Sequence, residues 1–203
     1  MPMTSPSPSF AALAAASAST TLQAQKRALR RAVAARLAGV EERSLEEQSR
    51  AITARVLALP FLAPCTSISC YLSMPSAEAR TGPLVETLLE AGKNLYVPKI
   101  ASAKDGRMDF LRVYDQADLE DLPSGTWGIR EPGEMWDAQN LKRGRVSGTK
   151  GELDVILVPG VAFDRSLSRL GHGKGYYDRF ITSYVASGRR KPLLGASFFH
   201  TSV

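Results

Sequence analysis

The stretch DVILVPGVAFDRSLSRLGHGKGYYDRF (154–180) predicts both the fold and the candidate site of this chain. DVILVP (154–159) is its most apolar run, which predicts a central strand that is buried on both faces. A glycine-rich loop follows, and a helix is predicted from Tyr176. Because ligands of open α/β sheets bind beyond the carboxyl ends of the strands, this loop is the first candidate for a binding site.

The glycine-rich loop has the features of an anion site. Successive glycines let backbone N–H groups converge on an anion, and the following helix N-terminus adds about half a positive charge. Lys174 and Arg169 add full charges, so the loop predicts a bound phosphate; the alternative is a surface turn with solvated bases. Ser168 and Gly175 break the Walker A pattern, and GHGKG (171–175) lacks the dinucleotide spacing.

The first turn of the predicted helix carries a carboxylate and two tyrosines. Magnesium is typically held by one or two carboxylates plus substrate phosphates, so Asp178 is a candidate Mg²⁺ ligand. The alternative is a carboxylate that only stabilises the helix dipole. Tyr176 and Tyr177 are adjacent and cannot both face the core, so we expect one to pack and the other to line the site.

Strand and helix signals alternate along the rest of the chain. Ser44 and Glu47 form a capping box for a helix that Pro60 ends, and Pro98 is expected to end a strand. Residues 115–150 are predicted to be irregular. Helices are predicted at 22–38, 44–59, 82–92 and 176–187, and strands at 67–72, 94–98, 108–113, 154–159 and 193–198.

This order predicts an α/β fold of three layers: a mostly parallel, twisted, Rossmann-like open sheet with helices on both faces. The length of 203 residues, with 44% hydrophobic and 23% charged residues, suits one globular domain. No run of about 18 apolar residues exists, so no membrane span is predicted.

The net charge of +6 is concentrated at the N-terminus. Residues 1–40 contain no acid, and their five bases leave the remaining chain nearly neutral: Lys26, Arg27, Arg30, Arg31 and Arg36. A nucleic-acid-binding module that uses the basic helix 26–36 is therefore a weak alternative, because nucleic-acid binding favours bases spread over one face.

Residues 1–21 are rich in Ser, Ala, Thr and Pro, which predicts a disordered tail before a single domain over 22–203. A cytoplasmic location is expected, although the acid-free, arginine-containing N-terminus also resembles a mitochondrial transit peptide. Cys65 and Cys70 match no metal or redox spacing, and two histidines are too few for a His-built zinc centre.

The segments VPGVAFD (158–164) and RLGHGKGYYD (169–178) closely resemble the signature of the 5-formyltetrahydrofolate cyclo-ligases, also called 5,10-methenyltetrahydrofolate synthetases. Three further segments match in order: KRALR (26–30), YLSMPSAEART (71–81) and LPSGTWGIREP (122–132). The resemblance implies an ATP- and Mg²⁺-dependent closure of 5-formyltetrahydrofolate to 5,10-methenyltetrahydrofolate. ADP and phosphate would be released after phosphorylation of the formyl oxygen.

The resemblance also implies roles for individual residues. Lys174, Arg169 and Tyr176 would be catalytic, and Asp178 would bind Mg²⁺. The residues expected to bind ATP are Lys26, Arg27, Ala28, Leu29, Arg30, Trp127, Arg169, Leu170, Gly171, His172, Gly173, Lys174, Gly175 and Tyr176. Those expected to bind the folate are Arg30, Leu72, Met74, Glu78, His172, Gly173, Lys174, Gly175 and Tyr176.

The resemblance implies small-molecule partners only, a reduced folate and ATP, with no nucleic acid, no membrane and a monomeric chain. Family members continue beyond the strand that LLGASF (193–198) matches, with a tail that closes the site and offers a second metal-side carboxylate. Because this chain ends at Val203, the expectation is a domain without that tail and weakened Mg²⁺–ATP binding. The alternative function is a catalytically weak folate- or nucleotide-binding homologue.

Overall fold

The computed structural model describes residues 10–74, 78–125, 128–147 and 151–196. The helices are α1 (Phe10–Leu37), α2 (Glu42–Leu57), α3 (Gly82–Glu90), α4 (Gln116–Glu120) and α5 (Tyr176–Ala186). The strands are β1 (Ser67–Cys70), β2 (Asn94–Ser102), β3 (Arg107–Val113), β4 (Met135–Trp136), β5 (Leu141–Lys142), β6 (Arg145–Val146), β7 (Val155–Val158), β8 (Ala162–Phe163), β9 (Arg169–Leu170) and β10 (Leu193–Ala196).

Six strands form the main sheet, in the order β10-β7-β1-β2-β3-β6. The neighbours β10, β7, β1 and β2 run parallel, whereas β3 pairs antiparallel with both β2 and β6. The predicted mostly parallel, open α/β sheet is confirmed. Between β7 and α5, the strands β8 and β9 form a separate two-stranded ribbon that carries the start of the glycine-rich loop.

Strand β7 contributes to the core on both sides of the sheet. Successive side chains of a strand point to opposite faces. Val155 and Leu157 belong to the cluster built with α2, α3 and α4, whereas Ile156 and Val158 pack in the cluster that contains Phe180 of α5. All four residues of β7 are buried, so the predicted three layers, with helices on both faces, are present.

Helix α1 begins earlier than the sequence predicts. It starts at Phe10, whereas a helix was expected only from Leu22, after a disordered tail. Residues 10–21 are dominated by alanine, the strongest helix former, and contain neither glycine nor proline, which explains the longer helix. Residues 1–9 of the predicted tail lie outside the described residues.

The capping box predicted for α2 is wrong. The helix begins at Glu42 with Glu41 as the N-cap residue, so Ser44 lies inside the first turn. There the Ser44 hydroxyl oxygen accepts a hydrogen bond of 3.2 Å from the side-chain amide of Gln48, one turn later. The local sequence pattern was correct for a helix start but placed that start two residues late.

The strand predicted to end at Pro98 continues to Ser102. Proline has no N–H for a sheet hydrogen bond and is tolerated where a strand has a neighbour on one side only. Pairing of β2 with β1 reaches only Tyr96, so Pro98 has β3 as its single partner strand. The remaining predicted helices and strands begin and end within two residues of the observed bounds.

The segment 115–150, predicted to be irregular, contains short regular elements. They include α4, the β4–β5 hairpin with a 3-10 turn at Asp137–Gln139, and β6, which completes one edge of the main sheet. The prediction failed here because two-residue strands are too short to produce a period in the sequence.

A buried ion pair holds this segment together. Arg143 and Asp118 are both buried, and Nη1 of Arg143 donates to Oδ2 of Asp118 at 2.6 Å. The same guanidinium donates to the carbonyl oxygens of Met135 and Arg112, each at 3.0 Å, and Asp118 accepts the N–H of Tyr114 at 2.9 Å. The two buried charges therefore have several hydrogen-bond partners each.

The substitution Asp118→Ala is expected to lower the free energy of unfolding by about 3–5 kcal/mol, because it leaves the Arg143 guanidinium buried without its counter-charge. Urea denaturation followed by circular dichroism measures this loss. Glu47→Ala breaks the exposed pair between Arg43 and Glu47 and serves as the control, with little change expected. Equal effects of the two substitutions would contradict this account of the segment.

Candidate active site

A cavity of about 830 Å³ opens where the parallel strands end. Residues at or near the ends of three parallel strands line the cavity. They are Pro159 after β7, Tyr71 and Leu72 after β1, and Pro98 and Ile100 in the second half of β2. One face of α1, the loop before α5 and the segment before β4 complete its wall. The carboxyl ends of the strands are where open α/β sheets bind ligands, so the location agrees with the prediction.

The glycine-rich loop forms one wall of this cavity and uses backbone conformations that favour glycine. Gly173 has φ +103° and Gly175 has φ +69°. Gly175 is also the N-cap residue of α5, so the positive end of the helix dipole borders the cavity beside Tyr176 and Asp178.

Helix α1 contributes three further cations. Lys26, Arg27 and Arg30 line the cavity, since residues three and four apart share one helix face. Nε of Arg30 donates to the carbonyl oxygen of Gly171 at 2.8 Å and thereby ties α1 to the glycine-rich loop. The structure does not bring all of the predicted residues to the site: Ala28 and Leu29 are not among the residues that line the cavity.

Arg169 and Lys174 add two cations from the loop itself. Nη1 of Arg169 donates to the carbonyl oxygen of Pro159 at 3.1 Å, and its Nη2 pairs with the carboxylate of Asp178. Lys174 is exposed at the cavity wall. With the helix residues Lys26, Arg27 and Arg30, five cationic side chains surround one space, an arrangement that suits a polyanion.

Asp178 lines the cavity from the first turn of α5, directly after the glycine-rich loop. Its side chain is 70% exposed and is held by Arg169. No three His, Cys, Asp or Glu side chains of the described ranges come together in a way that would hold a metal ion. Among the residues that the structure describes, Asp178 is thus the carboxylate beside the glycine-rich loop that is open to a metal, with water or a substrate as the source of further ligands.

Glu78 is a second carboxylate that lines the cavity, from the segment after β1. Its side chain is largely buried, and Oε2 accepts the N–H of Met74 at 3.0 Å. Oε1 lies 3.0 Å from Nε2 of His172, so Glu78 joins the segment after β1 to the glycine-rich loop. Four residues that were predicted to contact the folate thus line the same cavity: Leu72, Met74, Glu78 and His172.

The expected division of roles between the two tyrosines is wrong. Tyr176 and Tyr177 both line the cavity, and both also pack against the core cluster of α5. The Tyr177 ring meets Phe110 edge-on with a centroid distance of 6.0 Å, and its buried hydroxyl has no hydrogen-bond partner among the described residues. Burial raises the pKa of Tyr177 well above its ordinary value, so the phenol remains protonated.

Several lining residues are not among the predicted site residues: Gln23, Tyr71, Pro98, Ile100, Met108, Ile129, Glu131 and Pro159. Ile129 and Glu131 lie in the matched segment LPSGTWGIREP, which could have indicated them, but the only site residue predicted from that segment is Trp127. Trp127 lies outside the described residues. The residues of β2 and β3 left no local signal, because only the sheet brings them to the glycine-rich loop.

Fold and cavity together define an open-sheet α/β protein with a cationic, glycine-lined site at the carboxyl ends of its parallel strands. The 5-formyltetrahydrofolate cyclo-ligase family matches residues 22–200, and the chain belongs to this family. The family resemblance recognised in the sequence is therefore confirmed.

Individual relatives agree with this assignment. The chain is 34% identical over 167 residues to a probable 5-formyltetrahydrofolate cyclo-ligase of Schizosaccharomyces pombe, covering 82% of this chain and 76% of the relative. It is 30% identical over 186 residues to the 5-formyltetrahydrofolate cyclo-ligase of Mus musculus, covering 92% and 88%. The NMR structure of Aquifex aeolicus 5,10-methenyltetrahydrofolate synthetase superimposes with a TM-score of 0.66 at 28% identity, covering 86% of this chain and 77% of that one.

Among the helices of the described residues, none has both the length and the apolar character that crossing a bilayer requires.

The substitution Gly173→Ala tests whether the loop conformation matters for anion binding. At φ +103° a side chain is strained by about 1–3 kcal/mol, and the new Cβ would lie 3.4 Å from Cζ of Arg30. We expect weaker binding of ADP, measured by titration calorimetry. Gly188→Ala is the matched control, because Gly188 has φ +79° at the opposite end of α5 with open space around it. The control substitution should lower stability but leave the affinity for ADP unchanged. If both substitutions weaken ADP binding equally, the conformation of Gly173 has no specific role in binding.

Proposed function

We propose that this protein catalyses the ATP- and Mg²⁺-dependent cyclisation of 5-formyltetrahydrofolate to 5,10-methenyltetrahydrofolate, with release of ADP and phosphate. The observation that carries the proposal is one cavity lined both by a cationic glycine-rich loop and by the carboxylate of Glu78, which contacts that loop at His172. Membership of the cyclo-ligase family supports the same conclusion. The volume of about 830 Å³ is in the upper part of the range usual for small-molecule sites.

The chemistry explains why these residue types suit the reaction. A formamide oxygen is a poor leaving group, so it first attacks the γ-phosphorus of ATP, and the bond from phosphorus to the ADP oxygen breaks. Nitrogen 10 of the folate then attacks the activated formyl carbon and loses its proton, and the carbon–oxygen bond breaks as phosphate departs. Such a reaction depends on positioning and on charge stabilisation rather than on a strong general acid or base.

In this proposal the loop cations act on the transferring phosphoryl group. Lys174 and Arg169 stabilise the charge on its oxygens, and Tyr176 borders the same space. Arg30 holds the loop in place through Gly171, while Lys26 and Arg27 contribute charge from α1. The backbone of the glycine-rich loop completes the wall against which ATP and the reacting end of the folate would lie. The residues that contribute to this wall are Leu170, Gly171, His172, Gly173 and Gly175.

Glu78 is proposed to bind the pterin ring. An ionised carboxylate has about four acceptor positions, so Glu78 can keep its contacts with Met74 and His172 and still accept hydrogen bonds from an aminopyrimidine ring. Leu72 and Met74 provide apolar surface beside it. The two existing contacts fix the orientation of the carboxylate before a ligand arrives.

Asp178 fits the role of a single protein ligand for Mg²⁺. Magnesium sites in ATP-using enzymes commonly combine one or two carboxylates with phosphate oxygens, and Asp178 borders the phosphate-loop end of the cavity. When bound, the ion would offset negative charge on the phosphates. Asp178 would exchange part of its contact with Arg169 for the ion, which frees that guanidinium for phosphate oxygens.

Purified protein, 5-formyltetrahydrofolate and Mg²⁺–ATP together test the proposal. The near-ultraviolet absorbance of 5,10-methenyltetrahydrofolate should rise, and omission of ATP should abolish the rise. Binding of folate and ADP without any product would contradict the proposed catalysis and favour the binding homologue instead. Reduced folate and ATP are the only partners proposed, and the monomeric state and the compartment stay predictions.

Lys174→Ala is expected to lower kcat by about 10²-fold or more, because it removes a charge beside the transferring phosphoryl group. Steady-state kinetics at saturating substrate measure the effect. Lys142→Ala removes an exposed lysine from β5, which does not line the cavity, and should leave kcat unchanged. Full turnover of the Lys174 variant would overturn the role given to the loop.

Glu78→Ala is expected to raise the KM for 5-formyltetrahydrofolate by about tenfold or more, because a hydrogen bond to a charged group is lost. The KM for ATP should change much less. Initial rates with each substrate varied in turn separate the two effects. If the KM for ATP rises instead, the pterin ring lies elsewhere in the cavity.

A further inference from the structure

A third carboxylate, Glu131, lines the cavity from the segment before β4. Glu131 is only 8% exposed, and its Oε2 lies 3.1 Å from Nζ of Lys99 on β2. Lys99 balances the charge of the carboxylate, so this corner suits a neutral polar group better than an ion. The proposed chemistry gives Glu131 no role.

The position of Glu131 is built into the local backbone. A Cβ on Gly125 would lie 2.7 Å from Cγ and 2.8 Å from Cδ of Glu131, so the absence of a side chain at Gly125 makes room for the carboxylate. The backbone N–H of Glu131 donates to the carbonyl oxygen of Pro123 at 3.0 Å. The side chain is thus confined by close packing and is not a loose surface charge.

The lining residues nearest in the fold to Glu131 are apolar. Pro98 and Ile100 of β2, the strand that carries Lys99, line the cavity, as do Met108 of β3 and Ile129. Apolar walls with one fixed polar group at the edge form the usual setting for a flat heteroaromatic ring.

The two carboxylate oxygens of Glu131 differ in their hydrogen bonding. Oε2 accepts from Lys99, whereas Oε1 accepts no hydrogen bond from any residue of the described ranges. The Glu131 side chain is 11% exposed and lines the cavity, so a ligand can reach the carboxylate. A ligand that carries an N–H donor would therefore find a pre-positioned acceptor.

We propose that Glu131 selects the nucleotide by accepting a hydrogen bond from the exocyclic amino group of adenine. This inference rests on the proposed function, which brings two aminated ring systems, the pterin and adenine, into one cavity. Three carboxylates line that cavity within the described residues. Asp178 is tied to Arg169 at the phosphate end and Glu78 is assigned to the pterin, so Glu131 is left for adenine.

The same geometry disfavours guanine. In the ring orientation of adenine, guanine would place a carbonyl oxygen against Glu131, so two acceptors would face each other, and its N1–H could reach the carboxylate only if the ring shifted. Sites that bind a polar substituent reject analogues that lack it, because buried polar groups are then left unpaired. ATP is therefore expected to be used in preference to GTP.

Glu131→Gln tests this inference with little change of shape. The carboxamide oxygen can still accept from Lys99, but the new NH₂ group can donate to the carbonyl of guanine. The ratio of kcat/KM for ATP to kcat/KM for GTP is expected to fall by about tenfold or more, with the KM for 5-formyltetrahydrofolate unchanged. Calorimetric affinities for ADP and GDP should show the same loss of preference without any turnover.

Glu134→Gln is the matched control, because Glu134 is three residues away, is exposed and pairs with Arg145 instead of lining the cavity. Its nucleotide ratio should equal that of the unmodified protein. If Glu131→Gln keeps the ATP-to-GTP ratio of kcat/KM of the unmodified protein but has a lower melting temperature, the inference is overturned. Glu131 would then only hold its loop in place. A raised KM for the folate alone would also overturn it, since Glu131 would then face the pterin.

The two proposals fail separately. If the unmodified protein forms no 5,10-methenyltetrahydrofolate but its preference for ADP over GDP is lost in Glu131→Gln, the inference stands and the proposed function fails. If the unmodified protein forms product but shows no preference for ADP over GDP, the inference alone fails. It also fails alone if that preference is the same in the unmodified protein and in Glu131→Gln. Absence of binding by either nucleotide would overturn both.

Discussion

Burial of β7 on both faces of the sheet is the constraint on which the rest of the structure depends. A strand enclosed by α2 and α3 on one side and by α5 on the other has no room for charged side chains along its length. Polar function is therefore confined to the strand ends. At the carboxyl end the chain must turn back to reach α5, and the ribbon and glycine-rich loop that make this turn lie beside the ends of β1 and β2.

The loop gains its position from contacts with three different elements. Arg30 connects it to α1, Glu78 connects it to the segment after β1 through His172, and Asp178 connects Arg169 to α5. Each contact uses a charged group that a substrate or metal could also use. Arg169 is held by the carboxylate of Asp178, so an incoming polyanion would compete with Asp178 for this guanidinium.

The sequence predicted the parts of the site that are contiguous in the chain. A buried strand, a loop with glycines and bases, and a helix start each leave a local pattern, and the structure has all three at 155–158, 169–175 and 176–186. The apolar wall of β2 and β3 left no such pattern, because sheet order alone brings these strands to the loop, whereas Glu131 lies in a segment whose resemblance to the family could have indicated it. The capping box at Ser44 failed for the opposite reason, since a correct local motif was overridden by a helix that begins at Glu42.

The distribution of charge within the cavity gives a physical reason why the proposed reaction could combine two large substrates in one space. Cations line the cavity from α1 and the glycine-rich loop, while Glu78 lines it from the segment after β1 and Glu131 from the segment before β4. A substrate with an anionic tail and an aminated ring can satisfy one carboxylate and the shared cationic end at the same time. Two such ligands entering from different corners would meet at the loop, and Lys174 lies there. The meeting point of the reactive groups is then set by two carboxylates that local contacts hold in place, Glu78 by Met74 and His172 and Glu131 by Lys99 and the packing at Gly125.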